Sequence, residues 1–252
     1  MKRKQDIDGA LAGWPYKPDV VQARLVTAGY GRDVLQMRLD LGVVQMETSG
    51  RPDGTRPHGY PTYFDYLRGK ASAAETAGEE FTLDRDQCQE ADREFMQFYH
   101  RRICWLALGE YGRAVTDADH TLQFMDFVRD HSPSEEYTEA HEQYRGFVLF
   151  HRTQAEAAAR AEDDDPEGAV DAIRTGAKRI GAALAEADPE YDPEADPMLA
   201  QLNRLAEEIR RRHNVPETLQ ERLDKAVADE DYEAAARLRD EMRRRTVGGG
   251  GA

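Results

Sequence analysis

The stretch Leu108-Gly109-Glu110-Tyr111-Gly112-Arg113-Ala114-Val115 separates two runs of helical periodicity. Upstream, Phe95, Phe98, Tyr99, Arg102 and Cys104 to Leu108 put a wide apolar face on one helix. Downstream, Ala114, Val115, Ala118, Leu122 and Met125 do the same on the next. The residues from Gly109 to Gly112 are too few for anything but a turn between antiparallel helices. The middle of the chain therefore predicts helix packed on helix. A third helix is expected from Ser134, which heads the N-cap pattern Ser134-Glu135-Glu136-Tyr137, through Phe147, Leu149 and Phe150 to Ala161. Asp163-Asp164-Asp165-Pro166 breaks it and opens a fourth, with Ala169, Val170, Ile173, Ala177 and Ile180 on one face.

Working back towards the start, residues 1–70 read differently. Val20 to Thr27 is apolar and β-branched, and Gly29-Tyr30-Gly31 offers a turn. Leu35, Met37 and Leu39 then alternate with Gln36, Arg38 and Asp40, the period of a half-buried strand. Gly42 interrupts, and Val44 and Met46 alternate with Gln45 and Glu47 as a third strand. The prolines and glycines from Ser49 to Gly59 exclude helix and ladder alike, so this stretch is a loop. Three short strands cannot stand alone and must pack on the helices that follow.

Working forward, residues 71–185 form the helical body and 186–197 an acidic linker. Asp188-Pro189, Asp192-Pro193 and Asp196-Pro197 recur there, each proline driving its predecessor out of helix. Residues 198–247 hold a linker helix, with Leu202, Leu205, Ala206 and Ile209 on one side, and then two helices. Leu219, Leu223, Ala226 and Val227 make one apolar stripe, and Tyr232, Ala235, Leu238 and Met242 make another. Asp229-Glu230-Asp231 joins them, and Arg243-Arg244-Arg245 sits at the far end, both placements suiting the helix dipole. Residues 248–252 read as a flexible tail. The predicted fold is mainly α: a small N-terminal antiparallel β-hairpin or meander packed on helical hairpins, plus a C-terminal antiparallel helical hairpin. Between Ala161 and Met198 there are 12 acidic and 3 basic residues, whereas Gln201 to Val247 holds 11 of each. The linker is accordingly expected to hold the hairpin extended and available.

Two resemblances attach to these residues. The turn from Leu108 to Val115 resembles the middle of a tetratricopeptide repeat, and Asp164 to Val170 matches more loosely. The two alanines lie 55 residues apart in the sequence, against a repeat period of about 34, so the resemblance implies TPR-like hairpins and no regular superhelix. The stretch from Leu223 to Met242, with Asp231-Tyr232-Glu233-Ala234-Ala235 and Leu238-Arg239-Asp240, resembles the UVR, or UvrB/UvrC, motif. In excision-repair subunits such hairpins hold two proteins together, and in McsA-type adaptors and Clp-family unfoldases they serve adaptor contacts. The resemblance implies protein–protein docking. The ATP-binding loop and the zinc clusters of those proteins are missing here. The front end, with Trp14-Pro15-Tyr16, the run from Leu35 to Gly42, Gln45-Met46-Glu47 and Gly50-Arg51-Pro52-Asp53-Gly54, resembles a UVR-motif family of planctomycete-like bacteria. That family brings no established activity.

Chemistry is sparse. His141-Glu142-Gln143-Tyr144-Arg145 begins like a helical zinc-protease motif, but arginine stands where the second histidine is required. Cys88, His100 and Cys104 lack a fourth metal ligand, and the acid run at 163–167 has Arg174 where a calcium loop needs its bidentate acid. No metal and no cofactor is expected. A net charge of −15, from 34 Lys+Arg against 49 Asp+Glu, repels phosphate backbones, so direct nucleic-acid binding is not expected. Membrane association is not expected either, and Gln5, Asp6 and Asp8 stand where a secretory leader would be apolar. A cytoplasmic location follows as the expectation.

The expected function is a non-catalytic adaptor. Leu219, Leu223, Val227, Tyr232, Ala235, Leu238 and Met242 form seam and docking face, with Arg239 and Asp240 setting orientation by charge. The partner is another protein, UVR-bearing, or a second copy. A rival reading makes the loop bearing Arg51, Asp53, Arg56 and His58 a small-ligand or enzyme site, its donors suiting a carboxylate or phosphate, with the hairpin serving dimerisation.

Overall fold

The computed structural model describes residues 6–248, and side chains as far as Arg244. Three strands, β1 (Ala23–Thr27), β2 (Asp33–Leu39) and β3 (Gly42–Glu47), form an antiparallel sheet in sequence order. Leu35 pairs with Leu25 on one side and Met46 on the other. The alternation in β2 turns Leu35 and Met37 onto the helical body, where with Met46 they meet Cys104, Trp105 and Ala114. The other face is covered by the chain entering the sheet, through a one-turn helix α1 (Asp8–Leu11) and Trp14, over which the Arg24 guanidinium lies at 4.0 Å.

Among the described residues nine further α-helices follow: α2 (Tyr63–Ala77), α3 (Arg85–Leu108), α4 (Tyr111–His131), α5 (Glu135–Glu142), α6 (Arg145–Glu162), α7 (Pro166–Ala187), α8 (Pro197–His213), α9 (Leu219–Ala228) and α10 (Tyr232–Gly248). Local chemistry sets their ends. Asp84 and Gln87 close a capping box on α3, and Gly109 takes the left-handed conformation (φ 75°) that stops it. Asp165-Pro166 and Asp196-Pro197 start α7 and α8, the aspartate capping and the proline occupying the first helical position. From α3 onward the long helices pack in chain order, α3 on α4, α4 on α6, α6 on α7 and α7 on α8. Leu122, Met125, Leu149, Phe150, Ile173, Ile180 and Leu202 form the main core, and Tyr63, Phe64 and Leu67 of α2 a second one with Phe124 and Val128. The closest approach is α6 to α7 at Gly176, where a Cβ would fall 2.0 Å from Thr153 Oγ1.

Four expectations change. The predicted third helix is two, because the chain turns at Gln143-Tyr144 between α5 and α6. Helix α2 lies where only the border between front end and body was drawn. The Asp-Pro stretch does not hold the hairpin out: Tyr191 packs on the main core and α8 returns along α7, burying Leu199, Leu202 and Ile209. Helix α10 runs through Gly248, and the rest of the expected tail, 249–252, lies outside the described residues. No helix among the described residues is long and apolar enough to cross a membrane.

Candidate interaction site: the C-terminal hairpin

Helix α9 begins on a capping box. Thr218 Oγ1 accepts the Glu221 N–H at 3.2 Å, and the Glu221 carboxylate accepts the Thr218 N–H at 2.8 Å. The turn to α10 is made by Asp229, Glu230 in the left-handed region (φ 57°) and Asp231, whose carboxylate accepts the Ala234 N–H at 2.9 Å. The two helices zip along Leu219, Leu223, Ala226, Ala235 and Leu238, all buried, with Ala234 and Met242 partly buried beside them. Among the described residues, none from outside the hairpin joins this apolar cluster.

The predicted site residues therefore divide. Leu219, Leu223, Ala235 and Leu238 are seam, with Met242 at its edge. Val227 and Tyr232 are not seam: they are 42% and 70% exposed, at the turn end of the hairpin. Arg239 and Asp240 are exposed, with Asp240 Oδ1 3.9 Å from Arg243 Nη1. The hairpin thus buries one apolar stripe and leaves an aromatic and an aliphatic side chain in solvent near its tip.

The hairpin also touches the body, through polar groups. Buried Thr218 donates to Asp171 Oδ1 at 2.7 Å, and Glu167 accepts the Leu219 N–H at 3.2 Å. Asp224 is bridged by Arg174 and by Lys178 (3.2 Å), and accepts from Gln220 Nε2 at 2.8 Å. The Gln220 hydrogen bond, with the Arg174 and Lys178 bonds behind it, holds the Asp224 carboxyl at about 2, below its ordinary value. Burial raises the Asp171 carboxyl despite the Thr218 hydrogen bond and Arg174. Near the hinge, Arg210 pairs with Glu221 and donates to the Pro216 carbonyl at 2.9 Å. Between hairpin and body lies a crevice of about 560 Å³, bordered by Arg152, Arg160, Gly168 and Arg174 on the body and by Gln220 and Met242 on the hairpin.

The front-end loop is tied to the body through charge pairs. Arg51 is only 4% exposed; it is paired with Glu90, stands 3.3 Å from Glu94 and 3.6 Å from Asp53, and donates to Thr55 at 3.3 Å. Glu94, fully buried, accepts the Tyr63 and Phe64 N–H groups at 2.6 and 3.0 Å and stands 3.2 Å from His120 Nε2. Arg101 grips Asp117 with two bonds of 2.7 and 2.8 Å and donates to the carbonyls of Glu47 and Gly50. Burial works to raise the Asp53 carboxyl, but hydrogen bonds from Thr55 and Gln97, with the Arg51 charge, bring it below its ordinary value. Arg56 donates to the Gly59 carbonyl at 3.3 Å, and His58, at a left-handed φ of 50°, stacks on Tyr66 at 3.9 Å. Arg51, Arg56 and His58 do border an open groove of about 500 Å³, facing Asp84, Asp86 and Glu90. Asp53 is turned instead towards Gln97, 2.9 Å away.

Sequence reasoning missed Glu94, Arg101 and Asp117. The signal was there, since Ala91, Glu94, Phe98, Arg101 and Trp105 share one helical face and charge on an apolar stripe demands a buried partner. It also missed Asp171 and Arg174, which meet the hairpin across some 50 residues.

With this geometry in view, comparison adds one identification. Residues 216–244 match the family described as UVR, UvrB/uvrC motif, the segment that folds into α9, α10 and the turn between them. UVR motifs mediate protein–protein interaction. No curated protein matches the chain, and no solved structure does.

Proposed function

We propose that the chain is a non-catalytic adaptor that docks a protein partner through its C-terminal hairpin. The observation that carries this reading is the UVR match falling on a hairpin with its own apolar seam and with Val227 and Tyr232 exposed at its tip. Exposed aromatic anchors beside a rigid seam are the material of small interfaces. The partner is UVR-bearing or a second copy, and the pathway is excision repair or protein quality control. The body is read as TPR-like and the chain as a relative of the planctomycete-like UVR proteins, on the residues quoted above; its location is cytoplasmic. The rival ligand site in the Arg51–His58 loop is disfavoured, because Arg51 and Asp53 are spent on pairs within the chain.

The test compares the wild-type chain with Val227→Asp/Tyr232→Asp and with Leu223→Asp. Capture of UVR-bearing proteins from host lysate is read by mass spectrometry, and self-association by sedimentation. The tip variant is expected to keep its helix content and lose the partner, and Leu223→Asp to lose both hairpin and partner. Unchanged capture by the tip variant overturns the reading.

A further inference from the structure

The hairpin is unusual among the packed units of this chain in how it is fastened. Every other helical pair contributes apolar side chains to a shared core, whereas the seam of α9 and α10 is closed to the body. Among its ties to α7 are Thr218 to Asp171, the Leu219 N–H to Glu167, and Asp224 to Arg174 and Lys178. The crevice behind them is bordered by charged residues of both signs, Arg152, Glu156, Arg160, Asp171 and Arg174 among them. Apolar burial resists salt, but exchange of one set of ions for another does not disturb water greatly, so a contact of this composition opens at little cost. The far end is a hinge. Asn214 holds the left-handed conformation (φ 52°) that ends α8, and Val215-Pro216 leads to the Thr218 cap. Arg210, gripping Glu221 and the Pro216 carbonyl, keeps the hinge side anchored while the α7 side opens.

We propose that α7 is an electrostatic latch that holds the hairpin closed on the body through Asp224, and that a UVR-bearing partner engaged at the Val227–Tyr232 tip also takes the face of α9 released when the latch opens. This rests on the docking reading above and adds its regulation. The face covered in the closed state carries Thr218, Gln220 and Asp224, and Met242 borders the crevice beside it. A partner offering cations in the place of Arg174 and Lys178 competes for the same carboxylate. Release leaves the seam intact, because the buried Leu219, Leu223, Ala226, Ala235 and Leu238 pack on one another.

The experiment uses the full chain, its Arg174→Glu/Lys178→Glu variant, and the charge swap that adds Asp224→Lys to that variant. Amide hydrogen exchange and small-angle scattering report the latch. The double variant is expected to exchange faster at Leu219, whose N–H is held by Glu167 of α7, by about ten-fold or more if opening passes from rare to frequent, and to scatter as a longer particle. Exchange within Leu223 to Leu238 should stay as slow as in the wild type. The charge swap should restore the closed form, and about 0.5 M salt should open the wild type. A double variant as compact and protected as the wild type overturns the latch; so does one whose seam exchanges freely, since the hairpin then melts instead of moving. Capture of UVR-bearing protein should rise in the double variant. Opening without a rise overturns the competition. Opening with no capture by either protein overturns the docking reading and leaves the latch standing.

Discussion

Replacing Arg51 by methionine keeps the length and the apolar stem of the side chain and deletes its charge. Glu94 would lose the guanidinium 3.3 Å from its Oε2, and Glu90 would keep only Arg93 of its two arginine partners. Breaking a buried pair from one side costs ~3–5 kcal/mol. Glu94 keeps two backbone N–H donors and His120, so the loss should fall near the lower end, about 3 kcal/mol. Glu94→Gln is milder. Arg51 retains Glu90, and the amide oxygen still accepts one N–H, leaving a loss of about 2 kcal/mol from weakened bonds to a formerly charged group. Because the two residues share partners, the double variant should cost less than the sum by ~1–2 kcal/mol. Urea unfolding followed by helical circular dichroism and by the fluorescence of Trp105, buried where the sheet meets α3 and α4, measures all three. An Arg51→Met variant within about 0.5 kcal/mol of the wild type refutes the argument. It would return the Arg51–His58 loop to candidacy as a ligand site.

Gly176→Ala should destabilise the body by about 2 kcal/mol or more, since its Cβ would sit 2.0 Å from Thr153 Oγ1 and 2.7 Å from Thr153 Cβ at the crossing of α6 and α7. A thermal midpoint equal to the wild type's would show that the crossing relaxes freely. Burial, with the neighbouring Arg102, brings His151 from 6.5 down to about 4. The unfolded chain gains that proton near 6.5 and the folded chain only near 4, so stability is full above 6.5 and falls as the pH drops through the window. The loss is about 2 kcal/mol once partial exposure is allowed for, and a ring-proton titration placing His151 near 6.5 would contradict it.

Much of this architecture was legible because it follows periodicity. The period-2 run from Leu35 to Leu39 became β2, and Gly109 ended α3 with the left-handed turn only glycine takes cheaply. The hairpin seam was legible for the same reason. Helix α2 was not: only Tyr63, Phe64 and Leu67 are buried, and Gly69 to Ala77 carries no apolar stripe that a period could reveal. Exposure within a stripe was equally hidden. Val227 follows Leu223 at helical spacing, yet it lies at the turn end of the hairpin and stays 42% exposed. The latch depends on Asp171 and Arg174 meeting Thr218 and Asp224, and nothing local to either segment announces a pairing between them.

The grip of Arg101 on the carbonyls of Glu47 and Gly50 has a consequence for the order in which the chain acquires its shape. Helices packed in chain order need only short loops closed, so the stretch from α3 to α8 should condense early. The sheet must instead wait for a contact spanning more than fifty residues, Arg101 to Glu47. Until Arg101 finds those carbonyls, the end of β3 and the loop after it lack their anchor on α3. During synthesis the strands leave the ribosome before α3 and α4, and the sheet is completed only after those helices have followed. That delay makes the N-terminal strands the segment most in need of protection while the chain is young.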